Sequence, residues 1–214
     1  TVLFGGLGNA GTCEYDGTIW LVRQPSASPP PRQGHAMAYD AARQRTVVYG
    51  GYNGGAGISD TWEWDGTTWL VRAQLSAPAI RRWHAMAYDA ARQRVVLFGG
   101  QSDGGTYPTD TWTWDGSVWT QHVTPGPGTR WKHAMAYDEA RQRVVLFGGG
   151  IPGIGGSIWN DETWEWDGAT WLQRQPATRP PGRQQHAMAY DAVRQRIVVF
   201  SGATSGWVYD MQTW

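Results

Sequence analysis

HAMAYDAARQRVVLFGG fills residues 84–100, and its first six letters occur four times in the chain. The copies begin at His35, His84, His133 and His186, so they are 49, 49 and 53 residues apart. A repeat of this length is typical of solenoids, propellers and arrays, in which a single unit cannot bury its own apolar face. The chain is therefore a tandem array of one structural unit.

Each unit carries patterns typical of four short strands, which we call A to D. In HAMAYD, larger side chains alternate with alanine, as on a strand with two unlike faces. The run VVLF at residues 95–98 is typical of a buried strand B. Strand C carries Trp112 and Trp114, and strand D carries Trp119. Between them, Asp115-Gly116 predicts a two-residue type I′ turn with positive φ at both residues.

An aromatic pair spans each of these hairpins. The four pairs are Tyr15 with Trp20, Trp64 with Trp69, Trp114 with Trp119, and Trp166 with Trp171. Burying one tryptophan contributes roughly 4–6 kcal/mol before the opposing entropy is counted. The 15 tryptophans can therefore form the core of a chain with 29 glycines. Glu63 and Glu165 alternate with tryptophans on strand C, which predicts that they face solvent.

These residues resemble the kelch repeat over essentially the whole chain. The marks of that repeat are a glycine doublet that closes strand B and a later aromatic pair. The doublets before the four pairs are Gly5-Gly6, Gly50-Gly51, Gly99-Gly100 and Gly148-Gly149. The resemblance implies an all-β fold, a kelch-type β-propeller of four-stranded antiparallel blades whose strand A lines the channel.

We expect one domain over residues 1–214, with repeats at about 1–34, 35–83, 84–132, 133–185 and 186–214. The first and last repeats are partial, which favours five blades, two of them incomplete, over a larger parent ring or a ring of several chains. Both ends fall inside a blade, as in a chain cut from a longer one or engineered. Open sheet edges predict possible self-association.

The last repeat departs from the others. Ser201-Gly202 replaces the glycine doublet, and Asp210-Met211 stands where Asp-Gly is expected. On this alignment Trp207 belongs to strand C, Trp214 begins strand D, and a short loop, residues 203–205, joins strands B and C. Methionine disfavours positive φ, so the last hairpin is expected to be altered.

Charge and hydropathy exclude several classes of partner. The 18 basic and 18 acidic residues balance, so nothing favours nucleic acid or an anionic membrane. No apolar run approaches the roughly 20 residues of a membrane span, so membrane insertion is not expected. The start TVLFGG is not a signal peptide. A secreted or cell-surface bacterial protein is slightly favoured over a cytoplasmic one.

Candidate binding residues gather where loops meet at one mouth of the channel, because the D–A and B–C connections emerge on the same face of a kelch-like blade. The B–C loops vary in length while the D–A connections do not. The three middle B–C loops are therefore the recognition candidates. Their candidate residues are Tyr52, Asn53, Asp103, Tyr107 and Trp159.

An arginine precedes each strand A histidine by three residues at the same mouth. The pairs are Arg32 with His35, Arg81 with His84, Arg130 with His133, and Arg183 with His186. Their presence in every copy favours a structural role, in which they bind backbone carbonyls of the neighbouring blade. The alternative is a ring of cations and imidazoles that faces a ligand carboxylate or sulfate. Trp83 and Trp131, just before two of the histidines, are further candidates for ligand contacts.

No catalytic residue, metal or cofactor is predicted. The histidines lack a carboxylate or cysteine at ligand spacing. Galactose-oxidase-like kelch enzymes use copper and a tyrosine cross-linked to a cysteine, but Cys13 stands where other copies have tryptophan. We therefore expect a non-catalytic propeller that binds a protein or a glycan through the mouth loops. The alternatives are a carbohydrate-active or galactose-oxidase-like enzyme, and a structural or engineered propeller without a ligand.

Overall fold

The computed structural model describes residues 1–6, 8–153, 156–204 and 208–214. All regular elements in these ranges are β-strands, so no helix there could cross a membrane. The strands are β1 (Val2–Phe4), β2 (Thr12–Tyr15), β3 (Trp20–Arg23), β4 (Ala36–Asp40), β5 (Arg45–Tyr49), β6 (Thr61–Trp64), β7 (Trp69–Arg72), β8 (Ala85–Asp89), β9 (Arg94–Phe98), β10 (Thr111–Trp114), β11 (Trp119–His122), β12 (Ala134–Asp138), β13 (Arg143–Phe147), β14 (Gly150–Gly153), β15 (Gly156–Trp159), β16 (Thr163–Trp166), β17 (Trp171–Arg174), β18 (Ala187–Asp191), β19 (Arg196–Phe200), β20 (Ala203–Thr204) and β21 (Val208–Tyr209).

The prediction of four-stranded antiparallel blades is confirmed. Three sheets have the strand order A-B-C-D, and we name them blade I (β4–β7), blade II (β8–β11) and blade III (β12, β13, β16 and β17). A head sheet (β1–β3) has strands B, C and D, and a tail sheet (β18 and β19) has strands A and B. Consecutive A strands pack on one another, β4 on β8, β8 on β12 and β12 on β18, so they form the innermost layer.

The core lies between blades. Trp112, Trp114 and Trp119 of blade II pack on Val47 and Tyr49 of blade I. Blade III covers blade II in the same way, and blade I covers the head sheet. Each inter-blade layer therefore depends on the aromatic pair of the following blade.

Strand C is covered on both faces, so the prediction that Glu63 faces solvent is wrong. Glu63 is fully buried, where it accepts hydrogen bonds from Arg43 at 2.7 Å, Arg72 at 2.8 Å and the Trp114 indole of the next blade at 2.8 Å. Glu165 is likewise buried. The alternation of residues on strand C correctly placed Glu63 on the face opposite the tryptophans. It did not show that a second blade packs against that face.

The predicted two-residue hairpin turn is also wrong. Strand pairing ends at Trp114 and Trp119, which leaves a loop of four residues, and only Gly116 among them has positive φ. The Asp115 carboxylate accepts hydrogen bonds from the backbone N–H groups of Ser117 and Val118, at 2.7 and 2.8 Å. Aspartate therefore holds this turn through its side chain rather than through a left-handed backbone.

The last repeat aligns differently from the prediction. Thr213 bridges Phe200, as Thr111 pairs with Phe98 in blade II, so Trp214 lies at the start of strand C rather than strand D. The B–C connection is consequently longer than residues 203–205 and contains the β20–β21 hairpin, as blade III contains β14–β15. Asp210 precedes strand C and is not a hairpin residue. Trp207 lies outside the described residues.

Candidate binding surface at the channel mouth

The D–A connections and the B–C loops lie at the same end of the blades, as the backbone bridges between them show. Single antiparallel bridges join a residue before each strand A to the start of the following B–C loop. The bridges are Gln33 with Tyr52, Arg82 with Gln101, Trp131 with Gly150, and Gln184 with Ala203.

The four arginines at this end are buried and paired within their own blade. Arg81 is 1% exposed and binds both carboxylate oxygens of Asp110, at 2.7 and 2.9 Å. It also donates to the backbone carbonyls of Ala79 and Gly99, at 3.0 and 3.2 Å. The equivalent ion pairs are Arg32 with Asp60, Arg130 with Glu162, and Arg183 with Asp210. These guanidinium groups can reach a ligand only by breaking the bonds that hold the blade.

The backbone carbonyls of these arginines contact the neighbouring blade. The carbonyl of Arg81 accepts a hydrogen bond of 2.9 Å from the N–H of Gly51 in blade I. A Cβ on Gly50 would lie 2.7 Å from that same oxygen, and Gly50 has a φ of +67°. The glycine doublet is therefore required for the close approach of two blades.

The strand A histidines are packing groups between successive doublets. Cε1 of His84 lies 3.0 Å from a Cβ placed on Gly50, and its own Cβ lies 2.9 Å from one placed on Gly100. Burial and the neighbouring arginine hold the pKa of His84 and His133 well below the usual range, and lower the pKa of His35 and His186 to about 4. All four imidazoles are neutral at pH 7. Within the described ranges, no three His, Cys, Asp or Glu side chains are placed to hold a metal ion.

The residue before each histidine forms an inner rim of the mouth. These residues are Gly34, Trp83, Lys132 and Gln185, and all have φ between 56° and 65°. Backbone hydrogen bonds join them across blades, from Trp83 N–H to Gly34 at 2.6 Å, from Lys132 N–H to Trp83 at 2.8 Å, and from Gln185 N–H to Lys132 at 2.9 Å. Trp83 belongs to this rim, whereas Trp131 occupies the position two residues before its histidine, equivalent to Arg82.

Two cations flank Trp83 on this rim. The guanidinium carbon of Arg82 lies 4.6 Å from the Trp83 ring centroid and 4.8 Å from that of Tyr52, and Lys132 Nζ lies 5.0 Å from Trp83. Neither cation has a carboxylate within 4.0 Å among the described side chains. We call Tyr52, Arg82, Trp83 and Lys132 the cationic patch.

The other candidate residues lie around this patch. Tyr107 stacks on Trp131, with ring centroids 4.6 Å apart and planes at 25°. Asn53 accepts hydrogen bonds from backbone N–H groups of its own loop, and Asp103 accepts one of 2.6 Å from Gly57 in the loop of blade I. Trp159 is half-buried on β15, opposite Gly150. The structure thus brings aromatic and cationic groups to the mouth while Asn53 and Asp103 organise the loops.

A family model of the KLHDC2/KLHL20/DRC7 Kelch-repeats domain matches residues 70–214. The chain belongs to the kelch-repeat family. No curated protein matches it. In this kelch-repeat chain Cys13 pairs with Leu3 as Trp112 pairs with Leu97, so Cys13 occupies a tryptophan position of the blade.

Equivalent positions in the repeats of this chain also identify residues that the sequence patterns missed. The positions of Arg82 and Lys132 hold different residues in different copies of the repeat. The equivalents of Arg82 are Gln33, Trp131 and Gln184. Trp83 and Trp131 look equivalent in the sequence because both stand close before a histidine, but they lie at different positions of the repeat. The distance of each residue from its strand A histidine distinguishes these two positions and identifies Arg82 and Lys132 as the cations among them.

Proposed function

We propose that this kelch-repeat propeller is a non-catalytic interaction module that binds an acidic segment of a partner protein at the cationic patch. The observation that carries the proposal is Arg82, a cation at the mouth without a carboxylate partner. Its Nε atom is buried and has no hydrogen-bond acceptor in the described part of the chain. Kelch domains commonly mediate protein interactions, which supports a protein partner.

Electrostatics favour a carboxylate at this position. A guanidinium group without a counterion favours a carboxylate ligand, because a hydrogen bond to a charged group contributes roughly 1.5–3 kcal/mol. Lys132 on the far side of Trp83 supplies a second charge, and burial lowers the pKa of its ammonium group, so an anion beside it is favourable. Two cations on one aromatic ring suit a segment that carries more than one acidic side chain.

The Tyr107–Trp131 stack supports the proposal as an apolar platform beside the patch. Both side chains are only half-buried, so their free faces can pack on a partner. Stacked aromatic residues with an arginine nearby are typical of binding hot spots in protein interfaces. Trp159 extends the same aromatic region on the hairpin of blade III.

The direct test is selection of binders from a displayed library of random 12-residue peptides. Wild-type protein is expected to select peptides enriched in Asp and Glu, whose binding weakens as salt is raised. Replacing Arg82→Ala or Lys132→Ala is expected to weaken the selected peptides about tenfold each, since a charge-assisted hydrogen bond contributes roughly 1.5–3 kcal/mol. Arg45→Ala is the matched control, because Arg45 lies at the A–B turn on the opposite end of blade I.

Two results would contradict this proposal. One is selection of peptides without acidic enrichment. The other is binding on a glycan array that is lost in Trp131→Ala and kept in Arg82→Ala, which would identify a glycan as the ligand of the same mouth.

A further inference from the structure

A polar cavity of about 330 Å³ lies between two complete blades, blade II and blade III. Thr113 and His122 line it from blade II, and Trp166 lines it from blade III. Arg92 and Arg94 also line it, and their side chains are 35% and 45% exposed, so a small solute can reach the cavity from solvent. The cavity is close to the A–B turn of blade II, at the end of the blades opposite the channel mouth.

The equivalent position in blade I contains the buried carboxylate of Glu63. Its Oε1 atom accepts hydrogen bonds from Nη1 of Arg43 at 2.7 Å and from the Trp114 indole of the next blade at 2.8 Å. Its Oε2 atom accepts a hydrogen bond of 2.8 Å from Nε of Arg72. One carboxylate thus serves three donors, one of which belongs to the following blade.

The same carboxylate recurs in other sheets of the chain. Glu14 of the head sheet accepts hydrogen bonds from Arg23 and from the Trp64 indole of the next blade, both at 2.7 Å. Glu165 of blade III accepts one of 2.8 Å from Arg174. Among blades I to III, only blade II has no acidic residue at this position.

Blade II has a different pair of residues at this position. Strand pairing places Thr113 where blade I has Glu63, and it places His122 where blade I has Arg72. The Thr113 hydroxyl and Nε2 of His122 lie 2.9 Å apart and form a hydrogen bond with each other. Both side chains are shorter than their equivalents in blade I. The space that the glutamate carboxylate fills in blade I is therefore part of the cavity.

Donors that bind the glutamate in blade I are retained around the cavity. The Trp166 indole is 0% exposed, and its N–H has no hydrogen-bond acceptor among the residues that the structure describes. A buried donor of this kind favours a ligand that brings an acceptor. Nη1 of Arg92 donates to Asp89 at 2.9 Å and to the Gln142 carbonyl at 3.3 Å, whereas Nη1 of the equivalent Arg43 donates to the glutamate.

We propose that this cavity binds a short aliphatic carboxylate such as acetate, in the place of a glutamate side chain. One carboxylate oxygen accepts hydrogen bonds from the Trp166 indole and from Arg92. The second oxygen lies beside His122, whose ring N–H replaces the Arg72 guanidinium of blade I. A carboxylate is favoured over a spherical anion such as chloride, because its two oxygens can accept from donors on both sides of the cavity.

Titration of the full chain, labelled with ¹⁵N, with sodium acetate at pH 7 tests the site. The indole N–H resonance of Trp166, assigned from its loss in Trp166→Phe, is expected to shift and to saturate as acetate is added. Sodium chloride at the same ionic strength is expected to leave this resonance in place. The Trp166→Phe variant removes one charge-assisted hydrogen bond, so its affinity for acetate, measured by calorimetry, is expected to be about tenfold weaker.

A second variant supplies the carboxylate from the chain itself. Thr113→Glu combined with His122→Arg reproduces the residues of blade I, so it is expected to raise the midpoint of denaturant unfolding and to weaken acetate binding at least tenfold. Gln121→Glu is the matched control, because Gln121 is exposed on the opposite face of β11 and gains the same charge. It is expected to bind acetate as the wild type does.

Three results would overturn the proposal. They are a Trp166 resonance that does not move with acetate, one that moves equally with chloride, and acetate binding that is unchanged in the Thr113→Glu, His122→Arg variant. None of them bears on the cationic patch, which lies at the other end of the blades and whose peptide binding is measured separately.

Discussion

Lowering the pH from 6.5 to about 5 is expected to unfold this protein or bring it close to unfolding. The four strand A histidines are neutral when folded, because burial and a neighbouring arginine lower their pKa. In the unfolded chain they bind protons below their ordinary pKa of 6.5. The unfolded state therefore takes up more protons as pH falls, and each histidine lowers the free energy of unfolding by about 1.4 kcal/mol per pH unit.

The pH range in which stability is lost follows from the same pKa shifts. Stability is fully present above pH 6.5 and falls below it, and the contributions of His35 and His186 level off near pH 4, where the folded state also binds a proton. Carboxylates affect the stability at lower pH. Burial opposes ionisation of Asp110, but the bond from Arg81 outweighs it and lowers the pKa, so Asp110 matters only below its ordinary value of 3.8.

Denaturant unfolding measured at several pH values checks this expectation. His84→Gln should reduce the slope between pH 6.5 and 5 by about 1.4 kcal/mol per pH unit, whatever its effect on stability at pH 7. His122→Gln is the control, because His122 is only half-buried and should change the slope less. A slope that is the same in His84→Gln and in the wild type would contradict the assignment of a neutral buried imidazole.

Asp110→Ala is expected to lower the free energy of unfolding by about 3–5 kcal/mol, because it leaves a buried guanidinium without its counterion. The Arg81 side chain is fully buried, and Asp110 is its only carboxylate partner among the described residues. The lost bond from the Trp112 indole, at 2.7 Å, adds to the cost.

The second half of this experiment removes the charge. Arg81→Met combined with Asp110→Ala is expected to recover part of the loss, because an apolar side chain of similar length leaves no buried charge. Arg179→Ala serves as the control, since the Arg179–Asp161 pair is largely exposed and contributes at most about 1 kcal/mol. Equal losses in the single and double variants would show that packing, rather than the ion pair, determines stability here.

Residues that act within one repeat were predictable from the sequence. The glycine doublets, the aromatic pairs and the strand order follow from local patterns, and the structure shows the steric reason at Gly50. Features that depend on the next blade were not predictable in the same way. Glu63 looks solvent-facing on its own strand and is buried only because blade II covers it. The end of the chain was misaligned because Asp210-Met211 resembled a hairpin, whereas the Phe200–Thr213 bridge places it before strand C.

The candidate site was predictable only in part. Aromatic loop residues at the mouth followed from loop length, but the role of the arginines depended on acids 27–32 residues further along the chain. Arg82 and Lys132 gave no local signal, because a single cation in a loop has no pattern. Only the comparison of equivalent positions distinguishes them from the arginines that hold the blades.

Backbone hydrogen bonds join the inner rim, from Gly34 through Trp83 and Lys132 to Gln185. Its side chains can therefore change without loss of the bonds between blades, provided that the new residue tolerates positive φ, which excludes β-branched types. Natural variation or protein design can therefore change the binding specificity of these four adjacent positions with little loss of folding stability.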